Sequence, residues 1–169
     1  DKGRLPSPFL SRFRIIDLRP YTLEEMSEIV RLELARSGKA AAPEVCSVLA
    51  RVGRFIPRLS LERARQFLEY HEFSPHTYPL SQEGIREIMG KFWEVDASGL
   101  TPTDRAYLEA VQTGRKGFHA LATILPCGKE EIERVIEPYL LQLGAIRLTG
   151  KGREITEIGR AILMSPYVG

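Results

Sequence analysis

The sequence predicts a mainly α-helical chain with an extended strand or arm at its N-terminus and a small β-hairpin near its C-terminus. Apolar residues recur every three or four positions in several stretches between residues 22 and 143, which is the spacing of one helix face. Thr, Ser or Pro stands where most of these stretches begin, as is typical of helix N-termini. After Gly144 this spacing ends, and two short stretches flank a glycine-containing turn, as in a hairpin.

The composition excludes several classes of protein. The 169 residues carry a net charge of only +2, and 43% of them are hydrophobic, which indicates a globular chain rather than a disordered tail. No apolar run approaches the ~18 residues of a membrane span. Cys46 and Cys127 lie far apart, and the histidines do not cluster, so neither a disulfide framework nor a metal site is predicted. This cysteine usage favours a reducing compartment, the cytoplasm.

The N-terminal segment, residues 1–21, is predicted to contain one β-strand between Arg12 and Arg19. Its apolar centre with charged flanks is typical of a strand. A single strand has no partner in this chain and cannot form a sheet alone. We therefore expect it to pair with a domain that lies outside this sequence or to form an extended arm. The absence of an initiator Met likewise favours a fragment.

Residues 22–96 are predicted to form a bundle of four short helices. These helices begin at Thr22, Pro43, Pro57 and Ser81. The threonine is followed by two glutamates, which is the pattern of a helix N-cap with acidic residues in the first turn. Proline is the residue that helices favour at their first position.

Residues 97–169 are predicted to form a second domain, after a polar break at residues 96–99. Three helices followed by a basic hairpin are the order of a winged helix-turn-helix. The predicted elements are a helix that starts at Thr101, helices over Phe118–Leu125 and Lys129–Leu143, and strands over Ala145–Leu148 and Arg153–Thr156.

The hairpin, or wing, is the best candidate in this domain for contact with DNA. Arg147, Lys151 and Arg153 form a basic run without opposing acids, and we expect them to converge on a glycine-rich turn that lets phosphate approach closely. A solvated turn that is merely basic is the alternative, and winged helices also dock proteins. The third helix is a poor candidate because four glutamates, Glu137 among them, would repel phosphate.

Two further arginines are candidates for phosphate binding. Arg12 precedes the predicted strand, and Arg58 follows Pro57 at a helix start, where backbone N–H groups also favour anions. Ordinary surface arginines are the alternative. No Gly-Lys pair is followed by Ser or Thr in a phosphate-binding loop, and no nucleophile or HExxH motif is present. This stretch alone is therefore not expected to hydrolyse ATP.

Several strings of residues resemble the RuvB-like AAA+ ATPases, which drive branch migration of Holliday junctions. The resemblance covers nearly the whole chain and needs no gap between Glu94 and Arg153. Its most specific part is the Glu-Pro-Tyr-Leu string at residues 137–140. The other matching strings are Ser7-Pro8, Ser11-Arg12-Phe13, Tyr21, Pro57-Arg58, residues 95–100, Asp104-Arg105 and Gly152-Arg153.

The resemblance implies that the chain comprises the last strand of an AAA+ core, a four-helix lid and a winged helix. The motifs that bind ATP and its Mg²⁺ would then lie upstream. By analogy, Arg12 matches the arginine finger that acts on a neighbouring subunit of a hexameric ring. Tyr21 matches the tyrosine of the adenine pocket, Arg58 the sensor arginine of the lid, and Arg153 one of two DNA-contacting arginines.

The sequence also departs from the family pattern. Phe55-Ile56 replaces Gly-Thr before the sensor arginine, Leu148 stands where the other wing arginine is expected, and Leu10 replaces an arginine before the finger. We expect the parent protein to be an ATP-dependent DNA helicase of recombination and repair, with DNA, ring subunits and a RuvA-like junction-binding protein as partners. The alternative is a non-enzymatic winged-helix protein that binds DNA or acts as an adaptor.

Overall fold

The computed structural model describes residue 16 and residues 18–165. Eight helices and one hairpin follow each other along this part of the chain. Two helices, α4 (residues 82–93) and α7 (residues 129–142), contain a π-helical turn. The elements are α1 Leu23–Arg36, α2 Pro43–Val52, α3 Pro57–Phe73, α4 Gln82–Ile88 continued by Met89–Trp93, α5 Pro102–Gln112, α6 Phe118–Ile124, α7 Lys129–Glu131 continued by Ile132–Ile136 and Glu137–Gln142, β1 Ile146–Thr149, β2 Gly152–Ile155 and α8 Glu157–Met164.

Helices α1 to α4 pack around one apolar core. It includes Val30, Leu49 and Phe67, all fully buried, and Trp93, which is 8% exposed. Helix α1 begins with the expected cap, since Thr22 Oγ1 accepts from the Glu25 amide and the Glu25 carboxylate accepts from the Thr22 amide. Arg19 also binds this carboxylate and lowers the pKa of Glu25 to about 2. The predicted bundle of four helices is confirmed.

Helices α5 to α8 and the hairpin surround a second apolar core. Tyr107, Leu108, Leu121 and Ile132 are fully buried in it. Helix α5 begins with a second capping box, between Thr101 and Asp104. The strands pair antiparallel, as in a winged helix.

The two apolar cores meet at a joint that consists of the α2–α3 turn and the start of α5. Arg54 Nη2 donates to the Asp104 carboxylate at 2.5 Å, and its guanidinium lies 5.0 Å from the centre of the Tyr139 ring. The Tyr139 hydroxyl lies 2.9 Å from the Arg51 carbonyl oxygen and 2.6 Å from that of Ser98. Because these contacts are largely buried, they hold the helical bundle against the winged helix.

The α2–α3 turn at this joint has an uncommon backbone. Arg54 and Phe55 both adopt positive φ angles, 54° and 56°, which are unfavourable for residues that carry a Cβ. The turn directs Phe55 into the second core, where its ring lies 6.0 Å from that of Tyr139. Of the departure Phe55-Ile56, Phe55 thus contributes to the joint between the two cores, whereas Ile56 is exposed.

Three features differ from the sequence prediction. Helix α8 was not predicted, and β1 and β2 are shifted by one residue from the expected strands. Most of the predicted N-terminal strand, including Arg12, lies outside the described residues. Its last part, residues 18 and 19, does not form a strand. The boundary at residue 96 remains a prediction, although the two cores divide near it.

Within residues 18–165, none of the helices has the length and apolar character needed to cross a bilayer. In the same range, no three His, Cys, Asp or Glu side chains come together in a way that could hold a metal ion.

Candidate functional site

The wing is fixed to the helices of its own domain by backbone and side-chain contacts. Arg153 pairs through its backbone with Lys116, which adds a one-residue third strand to the hairpin, with N–O distances of 2.8 and 3.2 Å. Gly152 at the turn has a φ of 126°, and a Cβ there would lie 2.5 Å from the Lys116 carbonyl oxygen. Only glycine therefore allows the wing to approach this segment so closely.

The basic side chains of the wing do not converge. Arg147 lies opposite Glu154 in the hairpin, whereas Arg153 lies opposite Leu148, one position further along. Because neighbouring residues of a strand point to opposite faces, Arg147 and Arg153 belong to different faces of the wing. The expectation that they converge on one turn was wrong.

Arg153 is directed toward helix α7 rather than toward solvent. Its Nε and Nη2 donate to the two carboxylate oxygens of Glu137 at 2.8 and 3.0 Å, and its guanidinium lies 5.1 Å from the centre of the Phe118 ring. Tyr107 also donates to Glu137, at 2.9 Å. Burial and the adjacent Glu137 carboxylate raise the pKa of Tyr107 well above its ordinary value.

These contacts correct two expectations about the charges of this domain. Glu137 is only 5% exposed and neutralised by Arg153, so it does not present a repelling charge to DNA. Conversely, the basic run of the wing is opposed by acids, Arg153 by Glu137 and Arg147 by Glu154. Whether Arg153 also contacts DNA stays a prediction, but its guanidinium is held inside the domain by Glu137, which accepts two of its five N–H donors.

The other face of the wing carries a shared ion pair. Arg147 donates to Glu154 through Nε at 2.9 Å and Nη2 at 2.8 Å, and Arg115 binds the same carboxylate from the α5–α6 loop. The Arg147 side chain remains 70% exposed. Hydrogen bonding to Arg147, followed by the charge of Arg115, lowers the pKa of Glu154.

Lys151 stands at the tip of the wing. It is exposed, and within the described residues its ammonium group has neither an ion pair nor a side-chain hydrogen bond. The turn itself is ordered by Thr149, whose Oγ1 accepts from the Lys151 amide at 3.3 Å and donates to the Gly152 carbonyl at 2.8 Å. The tip therefore presents an ammonium group with free donors from an ordered turn.

Helix α7 presents acids on its exposed face, as expected. Glu130, Glu131 and Glu133 are exposed, and Arg134 is paired with Glu130 at 3.0 Å. A phosphate backbone laid along this face would meet an excess of negative charge. The wing is therefore the better candidate for contact with a polyanion.

The structure describes two of the three residues predicted to bind nucleotide, since Arg12 lies outside the described residues. Tyr21 precedes α1 and is 45% exposed. Arg58 is exposed at the second position of α3, and within residues 18–165 its side chain has no hydrogen bond or ion pair. Both residues are accessible to a ligand, and their role stays a prediction.

No sequence pattern indicated Arg115 or Glu137 as parts of this site. Arg115 follows Gly114 in a loop without periodicity, so no local pattern indicates where its side chain lies. Glu137 stands next to the apolar stripe of α7, and a carboxylate so close to a core was a signal that it needed a buried partner.

Comparison with known proteins relates both parts of the chain to one family. Residues 97–164 match the RuvB C-terminal winged helix domain. The RuvB subunit of the Holliday junction branch migration complex of Synechococcus sp. (strain RCC307) is 32% identical over 169 residues, which cover 95% of this chain and 48% of the relative. The same subunit from Lactobacillus helveticus (strain DPC 4571) is also 32% identical, covering 99% and 49%.

Solved structures give the same result. The Holliday junction branch migration motor RuvB of Thermotoga maritima is 28% identical and superposes with a TM-score of 0.77, covering 95% of this chain and 55% of the solved one. The chain therefore spans about half the length of the relatives it matches. The matched half contains the helical bundle as well as the winged helix.

Proposed function

We propose that this chain, whose residues 97–164 match the RuvB C-terminal winged helix domain and which is 32% identical to a RuvB subunit, is the lid and DNA-binding portion of an ATP-driven motor of recombination and repair. Residues 1–21 would end the AAA+ core, residues 22–96 would form the lid and residues 97–169 the DNA-binding domain. The motor would act in the cytoplasm as a hexameric ring on branched DNA, with a RuvA-like protein as partner.

The observation that carries this proposal is the wing. Lys151 is exposed without a partner within the described residues, on a turn that the Lys116 bridge and the Glu137–Arg153 pair hold in place. Arg147 adds a second exposed cation on one face. Phosphate contacts of this kind carry no sequence information, which suits a motor that must translocate along any DNA. We assign Arg153 mainly to anchoring the wing.

The residues proposed for nucleotide binding are chemically suited to that ligand. The free guanidinium of Arg58 has the donor geometry that phosphate requires, and the accessible ring of Tyr21 offers a face for a base. ATP with Mg²⁺ would supply the energy for movement of the lid. No carboxylate cluster of residues 18–165 could hold the Mg²⁺, so its ligands would belong to the upstream domain. Arg12 is proposed to act on the nucleotide of the neighbouring subunit.

The DNA-binding proposal is tested by the salt dependence of affinity. Replacing Lys151 with alanine is expected to lower the slope of log K against log salt by about one, because one phosphate contact is lost. Fluorescence anisotropy with duplex and four-way junction DNA over a salt series measures this slope. Lys91→Ala is the matched control, since Lys91 is an exposed lysine of the helical bundle.

The outcome separates the two functions considered for this chain. An unchanged slope for Lys151→Ala, or a slope near zero for the unaltered chain, would contradict DNA binding through the wing. The adaptor function would then be favoured, because docking of a protein does not require release of phosphate counterions. Equal losses in Lys151→Ala and Lys91→Ala would indicate a nonspecific effect of net charge.

The nucleotide proposal is tested separately in the ring of the parent protein, with its upstream domain present. Arg12→Ala is expected to reduce ATP hydrolysis by about 10³-fold or more, as loss of an arginine finger does. Nucleotide binding, measured with a fluorescent ATP analogue, is expected to change little. Full hydrolysis by a ring composed only of Arg12→Ala subunits would overturn the assignment.

A further inference from the structure

An open groove lies beside the wing, on the face that carries Arg147. It has a volume of about 870 Å³ and is lined by the end of α5 with the α5–α6 loop, one face of the hairpin and the first turn of α8. Three arginines line it, one from each of these parts of the fold. They are Arg115, Arg147 and Arg160.

The groove is lined by more positive than negative side chains. Arg115 and Arg147 share the single carboxylate of Glu154, so that this group of three side chains keeps one positive charge. Arg160 is exposed, and in the part of the chain that the structure describes its guanidinium has no hydrogen bond or ion pair. Glu157 also lines the groove, at its exposed edge. The lining as a whole is cationic.

The guanidinium groups that line the groove have N–H donors without a partner among the described residues. An arginine has five N–H donors, and Arg147 uses only Nε and Nη2 on Glu154. Arginine binds phosphate oxygens in a bidentate manner, which suits a groove with guanidiniums on several sides. Glu154 orients two of these groups before any ligand binds, so their ordering does not have to occur on binding.

The groove is continuous with the proposed DNA contact at the wing tip. Arg147 and Thr149 belong to the same face of β1, and Lys151 follows in the turn. A phosphate backbone that runs along this face from the tip would pass from Lys151 to Arg147 and then enter the groove. Arg153 lies on the opposite face and would not take part.

We propose that Arg115, Arg147 and Arg160 form a second phosphate-binding site, which holds a backbone phosphate of DNA beside the wing. This inference deepens the DNA-binding function proposed above and rests on it. The site differs from the predicted set of Arg147, Lys151 and Arg153, because it adds two arginines from α8 and the α5–α6 loop. Glu154 limits the affinity of the site by neutralising part of its charge.

Salt-dependent binding of duplex DNA by the whole chain tests this site. Arg160→Ala and Arg115→Ala are each expected to lower the slope by about one. Arg36→Ala, which removes an exposed arginine from the bundle, is the matched control and is expected to leave the slope unchanged. Glu154→Gln is expected to tighten binding several-fold, because it leaves Arg115 and Arg147 without their shared counterion. A purely structural role for Glu154 would weaken binding instead.

The outcomes distinguish this site from the wing tip. If Lys151→Ala lowers the slope while Arg160→Ala and Arg115→Ala behave like Arg36→Ala, the groove proposal is overturned and the wing proposal stands. An unaltered chain that does not bind DNA overturns both. Titration with inorganic phosphate, followed by the NMR signal of Arg160 Nε–H, tests the source of the ligand. Saturable phosphate binding with unchanged DNA slopes would overturn the assignment to DNA.

Discussion

Replacing Arg54 with methionine is expected to lower the free energy of unfolding by about 3–5 kcal/mol, the range found when one partner of a buried ion pair is removed. The Asp104 side chain is fully buried, and that of Arg54 is 15% exposed. Methionine keeps part of the apolar stem and removes the charge. The Asp104 carboxylate would then stay buried with only the Thr101 amide and hydroxyl as donors, at 2.8 and 2.7 Å.

The effect is expected to be large because, among the described residues, no donor other than Thr101 is available to the Asp104 carboxylate once Arg54 is removed. Its Oδ1 atom is buried without a partner, and its Oδ2 atom accepts all the bonds described for this side chain. The same substitution removes the cation–π contact with Tyr139 and a hydrogen bond of 3.3 Å to the Val135 carbonyl. All of these contacts join the helical bundle to the winged helix.

Urea unfolding, followed by circular dichroism and by the fluorescence of Trp93, measures the loss. Arg65→Met is the control, because Arg65 forms an ion pair with Glu33 at the surface, where such pairs contribute ~1 kcal/mol or less. The double variant Arg54→Met with Asp104→Asn is expected to be more stable than Arg54→Met alone. A loss in Arg54→Met no larger than that in Arg65→Met would contradict a buried, coupled joint.

Replacing Glu137 with alanine is expected to cost about 3 kcal/mol and to release the wing from helix α7. Arg153 would keep a positive charge that is only 22% exposed, and Tyr107 would lose the acceptor of its buried hydroxyl. Because Arg153 also pairs with Lys116, the backbone bridge next to the turn of the wing is expected to weaken. Hydrogen exchange of the Arg153 amide would then become faster.

Two variants test this anchoring role further. Tyr107→Phe removes one hydrogen bond and is expected to cost about 1.5 kcal/mol, without releasing the wing. Arg153→Lys keeps the charge but not the two-pronged contact with Glu137, so it is expected to destabilise the domain. If Arg153→Lys leaves stability intact, or if Glu137→Ala leaves the exchange of the Arg153 amide unchanged, the anchoring role is contradicted.

The joint and the anchor have a common consequence for the proposed function. The Arg54–Asp104 pair holds the winged helix against the bundle, and the Glu137–Arg153 pair holds the wing against its own domain. If the lid moves when nucleotide binds, these two ion pairs would therefore transmit that displacement to the wing tip. In the proposed motor, this is how the state of the nucleotide would reach the DNA.

Most of the helices could be predicted because their signals are local. The threonine caps at Thr22 and Thr101 and the prolines at the starts of α2 and α3 act within one turn, so their effect does not depend on distant residues. Helix α8 was missed because its eight residues follow the hairpin at once, with no break between them. Its cap, Thr156 with the Gly159 amide, is a signal that could have been used.

The sequence by itself determined the helical bundle, the hairpin and the winged-helix order, since these depend on spacing and capping along the chain. It also determined that the wing, rather than the acidic face of α7, is the basic part of its domain. Only the tertiary structure decided which charges are free. Arg153 and Glu137 are 16 residues apart, and Arg54 and Asp104 are 50 apart, so their pairing depends on how the elements pack. That packing leaves Lys151 and Arg160 with unpaired charges among the described residues, because no acid of a neighbouring element reaches them.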